Sequence, residues 1–419
     1  FVVACAGVPL MYALLATTVG MIWSFNLSHP LESIFLSFIS GVEPFILIAV
    51  PLFIFGGELL AKGGVGKRIV AFAVTLFGFM PGGLGVVCVV SCLLFGGISG
   101  SAIADTAAIG SLIIPMMIQR GYPPAFAAAL LSVAGTLALL MPLSIPFLVY
   151  AFITGVSMRL LSMSGVIPAI ISALALIGVC IWFGKKTGCD KGGKPATAGE
   201  ILAAFKAAWP ALLMPVIILG GILLGICTAT EAAVVSAVYA FVVSAFIYRE
   251  LKLKHMLPVL VNTVRGTAVV LFVCGAAMAA AYFITTAQIP ELLAGVLLQL
   301  SGDSWVMFMF WVNVLLLIVG CVMDLTPSLL ILAPMLLPIA AKYGLDPIYF
   351  GVVMIVNLCI GLITPPVGNI LFVACGISKI SVADLSRAIW PNIVVGIIVI
   401  FIVTYLPWTV TYLPGLIPK

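Results

Sequence analysis

The chain has 419 residues, of which 64% are apolar and 7% charged, against about 45–50% and about 25% in a soluble domain. So few polar groups cannot cover so much apolar surface, which excludes a water-soluble globule. The net charge of +5 is dispersed over polar loops, which suits positive-inside membrane topology and not nucleic-acid binding. Apolar runs of roughly 20 residues, each long enough to cross hydrocarbon, recur along the whole length. An all-α polytopic membrane protein is expected, with the lipid bilayer as its solvent.

The first run, 1–23, has neither a basic n-region nor a small-residue cleavage site, so it reads as a helix and not as a signal peptide. The missing initiator Met is expected to place the start inside a mature chain. Lys62, Lys67, Arg68 and Arg120 follow, and all four fall on the inner side once the later loops are oriented.

Two apolar stretches, 84–97 and 103–118, meet at Gly96-Gly97-Ile98-Ser99-Gly100-Ser101. At about 1.5 Å per residue each is shorter than the ~30 Å hydrocarbon core, so they read as a re-entrant helical hairpin entered from the cytoplasmic side. Backbone left unpaired in a bilayer must face protein or a water-lined cavity. The hydroxyls and bare backbone of Ser99, Gly100 and Ser101, with Asp105 and Thr106 one turn on, are therefore candidate ligands for ion and substrate. The rival reading is tight packing of small residues. It leaves Asp105 as a costly intramembrane charge. Pro142 and Ser144 mark a helix break after this hairpin.

A span at about 163–184 leads to the basic segment 184–206, and two further spans, about 208–228 and 230–248, lie between it and the basic segment 249–255, which puts both segments on one side. Positive-inside bias makes that side cytoplasmic. Glu231 opens a helix on the outer side, where capping by Thr228 or Thr230 accounts for it. Glu58 and Arg265 read as groups near helix ends that snorkel or pair, leaving no obvious intramembrane Arg clamp.

The hairpin shape recurs at 305–322 and 327–341, with its tip at Gly320-Cys321-Val322-Met323-Asp324-Leu325-Thr326-Pro327. An offset of 223 residues carries Gly97 onto Gly320, Pro115 onto Pro338, Gly121 onto Gly344, Pro124 onto Pro347 and Pro142 onto Pro365. Composition alone would give about one such match or fewer. The three spans between the units turn the second copy upside down. Inverted repeats with broken helices are the pattern of secondary transporters.

Asp324 at the second tip has three readings: a Na⁺ ligand, a proton carrier, or the cap of the helix that follows. Thr326 lies beside it. The second break, Thr364-Pro365-Pro366-Val367-Gly368-Asn369, loses two backbone donors and frees carbonyls for a ligand. Asn357, the single amide in its apolar helix, either supports that site or bonds another helix.

The candidate substrate site is thus Ser99, Gly100, Ser101, Asp105, Pro142, Ser144, Asn357, Thr364, Pro365 and Pro366. No catalytic residue is expected. Gly97 to Ser101 misses the G-x-S-x-G elbow because position 101 is Ser, and 63–68 lacks nucleotide-loop spacing. An ion gradient must therefore supply the energy, with no organic cofactor. The ten cysteines contain no C-x-x-C pair and read as small buried apolar residues, and His29 and His255 form no metal cluster.

The runs Ser99-Gly100-Ser101-Ala102-Ile103-Ala104-Asp105-Thr106-Ala107-Ala108 and Gly225-Ile226-Cys227-Thr228-Ala229-Thr230-Glu231-Ala232 closely resemble the large membrane subunit of tripartite ATP-independent periplasmic (TRAP) transporters, the DctM-like family. So do Val322-Met323-Asp324-Leu325-Thr326-Pro327, Gly344-Leu345-Asp346-Pro347-Ile348-Tyr349-Phe350-Gly351 and the stretch 357–368. The resemblance covers essentially the whole chain in order. It implies a Na⁺-coupled elevator importer of a small organic acid, a C4-dicarboxylate or sugar acid, in the bacterial inner membrane. A four-helix small membrane subunit and a periplasmic substrate-binding protein are its implied partners.

The resemblance implies candidate Na⁺ ligands at Ser99, Ser101, Asp324, Thr326 and Thr364, and Asp105 joins them from the residue reading. It further implies scaffold helices and an arm over 1–80, and a transport domain over 81–160 with the first hairpin and broken helix. Scaffold helices and basic loops are expected over 161–260, then a helix and arm over 261–302. The transport domain resumes over 303–380, and a C-terminal helix fills 381–419. Two departures stand out: Pro142-Leu143-Ser144 where the family usually has Pro-Pro-Ser, and Thr228-Ala229-Thr230-Glu231 where it usually has Thr-Pro-Thr-Glu. A stand-alone Na⁺/dicarboxylate symporter and an ion antiporter using Asp105 and Asp324 are the alternatives.

Overall fold

The computed structural model describes residues 10–24, 32–142, 144–190, 192–365 and 368–416, and among them every regular element is helical. The first part of the chain forms α1 (Leu10–Ser24), α2 (Glu32–Ser40), α3 (Ala49–Lys62), α4 (Val65–Phe77), α5 (Gly83–Ser99), α6 (Ala102–Gln119), α7 (Pro124–Leu140), α8 (Ile145–Thr154), α9 (Met158–Ser164) and α10 (Val166–Thr187). Then come α11 (Ala198–Leu223), α12 (Ala229–Val242), α13 (Leu253–Thr286), α14 (Ile289–Ser301), α15 (Trp305–Gly320), α16 (Leu325–Lys342), α17 (Pro347–Gly361), α18 (Asn369–Ser378), α19 (Val382–Ala388), α20 (Trp390–Tyr405) and α21 (Trp408–Gly415). Seven helices are long and apolar enough to cross a membrane, and two bent pairs raise this to nine, among the described residues. Their outward faces are greasy: Val216, Leu174 and Val264 are each more than 60% exposed. On a water-soluble protein such a surface would drive aggregation, whereas lipid accepts it.

Both hairpins form where expected. Gly100 sits at φ +60°, a conformation that Gly enters without strain, and it ends α5. Ser101 then caps α6 by accepting from Ala104 N at 3.4 Å, so the chain reverses within two residues. In the second hairpin Asp324 caps α16, its Oδ1 accepting from Leu325 N at 2.9 Å. Each hairpin packs on the helix that breaks beside it. A Cβ at Gly96 would stand 2.5 Å from Ala138 Cα, and one at Gly361 would stand 2.6 Å from Gly320 Cα. The 223-residue offset carries Ala138 onto Gly361 and Gly96 onto Val319, the neighbour of Gly320, so a close backbone approach occurs one residue apart in the two repeats.

The first break bends α7 against α8 by 40°. The second separates α17 from α18, and Pro366, a candidate site residue there, lies outside the described residues. Asn357 binds between helices: its Nδ2 donates to Asn313 Oδ1 at 2.9 Å, and Asn313 Nδ2 donates to Thr404 Oγ1 at 3.1 Å. All three residues are buried, so the amides tie α15, α17 and α20 together.

The hairpins, the broken helices, α10 and α20 pack together, and α3, α4, α11, α12 and α13 line one side of them as a wall, with α4 packed on both α5 and α11 and α13 packed on both α3 and α16. Within 161–260, expected to hold scaffold helices and basic loops, α10 packs on α5, α7 and α20. The offset that relates the hairpins carries Val166 onto Ile389, one residue before α20 starts, so α10 is the mate of α20. The structure departs from the sequence expectation at the start of α11, ten residues earlier than the apolar run suggests. Thr197 and Glu200 form a capping box that begins the helix inside the polar segment. At the start of α12 Thr228 and Glu231 form another, which accounts for Glu231 as a helix-start residue.

The candidate substrate and ion site

The loop after α10 fixes the base of the first hairpin. Asp190 Oδ2 accepts from Leu84 N at 2.8 Å, its Oδ1 lies 2.8 Å from Arg120 Nη1, and its carbonyl accepts from Gly82 N at 3.1 Å. One carboxylate thereby caps the N-terminus of α5 and neutralises the cation at the end of α6. The Asp190 side chain is fully buried. With both ends of the hairpin held, its tip is delivered to a set depth.

At that depth a cavity of about 480 Å³ opens between the two hairpin tips and the wall, within the size range of small-molecule sites. Ser99, Gly100 and Ser101 line it from the first tip, and Asp324 and Thr326 from the second. Ile145 and Pro146 after the first break, and Leu362 and Ile370 around the second, contribute apolar surface. Glu58 of α3 and Asn262 and Arg265 of α13 close the opposite side.

Behind the first tip, Asp105 is completely buried. The Ser99 hydroxyl donates to Asp105 Oδ1, while Ser101 N donates to Ser99 Oγ at 3.2 Å. Asp105 Oδ2 and the neighbouring Thr106 Oγ1 are buried with no partner among the described residues. Gly96 leaves the room, since a Cβ there would come within 3.0 Å of Asp105 Oδ2. A buried carboxylate with an idle oxygen needs a cation or a proton. A one-carboxylate, hydroxyl-rich nook suits a hard cation of single charge. Near the second tip a hollow of about 10 Å³ is bounded by the 320–324 segment, Leu362 and Gly368, which is about the volume of one water or small ion.

The sequence candidates therefore separate. Ser99, Gly100, Ser101, Asp324 and Thr326 share one cavity, and Asp105 sits just behind it. Pro142, Ser144, Thr364 and Pro365 occupy the breaks without lining that cavity. Ser144 Oγ donates to Leu139 O and Thr364 Oγ1 to Ile360 O, both at 2.7 Å, so each hydroxyl serves its own break. Asn357 is engaged with Asn313, away from the cavity. Arg265, which the sequence places near a helix end, instead lies 12 residues into α13, about 18 Å along the axis, and lines the cavity. The polar loop before it disguises that depth, because α13 begins within the loop. Helix counting from Leu253 would have found it.

Fold and site together define a polytopic permease of the two-hairpin kind, with a cavity between the hairpin tips. The chain belongs to the family described as the tripartite ATP-independent periplasmic transporter, DctM component, which it matches over residues 1–409. It is 38% identical over 398 residues to the 2,3-diketo-L-gulonate TRAP transporter large permease protein YiaN of Escherichia coli, covering 94% of this chain and 93% of that one. The C4-dicarboxylate TRAP transporter large permease protein DctM of Rhodobacter capsulatus is 35% identical, with 98% and 96% covered. In fold the chain resembles the Alcanivorax borkumensis YdaH transporter, with TM-score 0.54, 14% identity and 98% and 99% covered.

Proposed function

We propose that this chain is the translocating subunit of a Na⁺-coupled importer of a small organic acid in the inner membrane of a bacterium. A periplasmic binding protein delivers the acid, and a four-helix small membrane subunit braces the wall. The carrying observation is the convergence of both hairpin tips and Arg265 on one cavity, with the unpartnered Asp105 oxygen directly behind. Na⁺ near Asp105 and Asp324 neutralises the tips and lets an anion enter, so ion and cargo bind as a pair. Relatives named for 2,3-diketo-L-gulonate and C4-dicarboxylates both carry organic anions by name, which supports the cargo class. The hairpin body, locked by the Gly320–Gly361 approach and the Asn313–Asn357 amides, is built to slide past the wall as one piece.

Reconstitution into liposomes with both partners tests this. An inward Na⁺ gradient should drive uptake, and omission of either partner should abolish it. Uptake without the partners would favour a stand-alone symporter. Uptake that follows pH and ignores Na⁺ would favour proton carriage by Asp105 and Asp324.

A further inference from the structure

The charges on the cavity are uneven. Among the described lining residues Arg265 is the one basic side chain, and Glu58 and Asp324 are the acidic ones. Arg265 makes no ion pair with a described residue. Glu58 Oε2 accepts from Asn262 Nδ2 at 3.1 Å, and its other oxygen accepts from no described residue. Asn262 and Arg265 lie three residues apart on α13 and so share a face. The wall thus offers one planar guanidinium fork beside a carboxylate that can only accept hydrogen bonds.

We infer that Glu58, Asn262 and Arg265 select the cargo, favouring a monocarboxylate that carries hydroxyls over a dicarboxylate. This rests on the transport reading above and narrows its substrate class. A single guanidinium pairs bidentately with one carboxylate of the cargo. Hydroxyls on the adjoining carbons then donate to the free oxygen of Glu58 and exchange bonds with the Asn262 amide and the tip serines. A second carboxylate placed there meets Glu58 instead. Na⁺ at Asp324 would neutralise the far side of the cavity, whereas no basic side chain is paired with Glu58 among the described residues. The wall therefore discriminates by repulsion as well as by attraction.

The test measures thermal stabilisation of the purified permease, complexed with its small subunit and saturated with Na⁺. Glycerate and gluconate serve as hydroxylated monocarboxylate probes and succinate as the dicarboxylate. At least one hydroxy acid should act at a concentration about tenfold below that of succinate. Glu58→Gln should shrink that ratio by improving succinate, and Arg265→Gln should abolish the response to all three. Arg265→Lys should restore part of it. The inference falls if succinate matches or outperforms both hydroxy acids, or if Glu58→Gln leaves the ratio unchanged. Uptake by the full complex in liposomes is measured alongside. Na⁺-driven uptake with the wrong selectivity overturns the wall assignment alone, whereas no Na⁺-driven uptake overturns the transport reading.

Discussion

Asp105 has one oxygen bonded to Ser99 and the other idle, in full burial. A residue so placed is costly to the fold unless a cation or proton completes it. Ser99→Ala and Asp105→Asn should each lower Na⁺-dependent uptake by about tenfold, the worth of one charge-assisted hydrogen bond, with expression and insertion intact. Assay of uptake against Na⁺ concentration checks this, and wild-type Na⁺ dependence in both variants would sink the tip assignment. Glu250, in the segment between α12 and α13, shows the opposite economy of charge. Burial tends to raise it, but a 2.8 Å bond from Arg68 and Lys67 at 3.5 Å hold it below the usual carboxylate range. A carboxylate depressed in the folded state contributes stability above its unfolded pKa and loses it as pH falls through the folded value. The melting temperature should therefore stay level from about pH 7 to about pH 5 and drop below about pH 4. Glu250→Gln should melt lower at neutral pH and show a shallower acid limb.

At the scale of elements, a hairpin is only as well placed as its base. Asp190 supplies the N-cap of α5, the counter-charge for Arg120 and a backbone acceptor from a single loop. Asp190→Ala strands the buried amide of Leu84 and should destabilise the hairpin by about 2 kcal/mol. Hydrogen–deuterium exchange should accelerate at the start of α5, while α12 in the wall stays protected. Equal acceleration in both would show that the hairpin does not open as a unit. The two short arms are legible in the sequence because glycine tips and arm length are local properties. The neighbours of α10 are not, because they depend on contacts far away in the chain.

Across the whole molecule, the proposed transport cycle requires the body to move relative to the wall. A Cβ at Gly97 in the first hairpin would lie 3.7 Å from Cβ of Pro215 in α11, within the usual span of a disulfide. In a background without native cysteines, Gly97→Cys with Pro215→Cys should crosslink under oxidation and stop uptake, and reductant should restore it. Uptake that continues through the crosslink would exclude sliding of the first hairpin past α11.

The cavity illustrates the division between what is local and what is not. Ser99, Ser101 and Asp324 are legible as candidates because small, hydroxylated and acidic residues at a broken helix are unusual in lipid wherever they occur. Glu58, Asn262 and Arg265 carry no such local mark. They come from helices some 200 residues apart, and their meaning appears only when α3 and α13 pack side by side. Membrane residence, the inverted repeat and the two hairpins follow from the sequence by itself, since hydropathy, length and glycine position act over one or two turns. Which helices α10 packs on, where Asn357 spends its amide and which basic side chain lines the cavity were decided by the tertiary structure, because each depends on long-range contacts that no local pattern encodes.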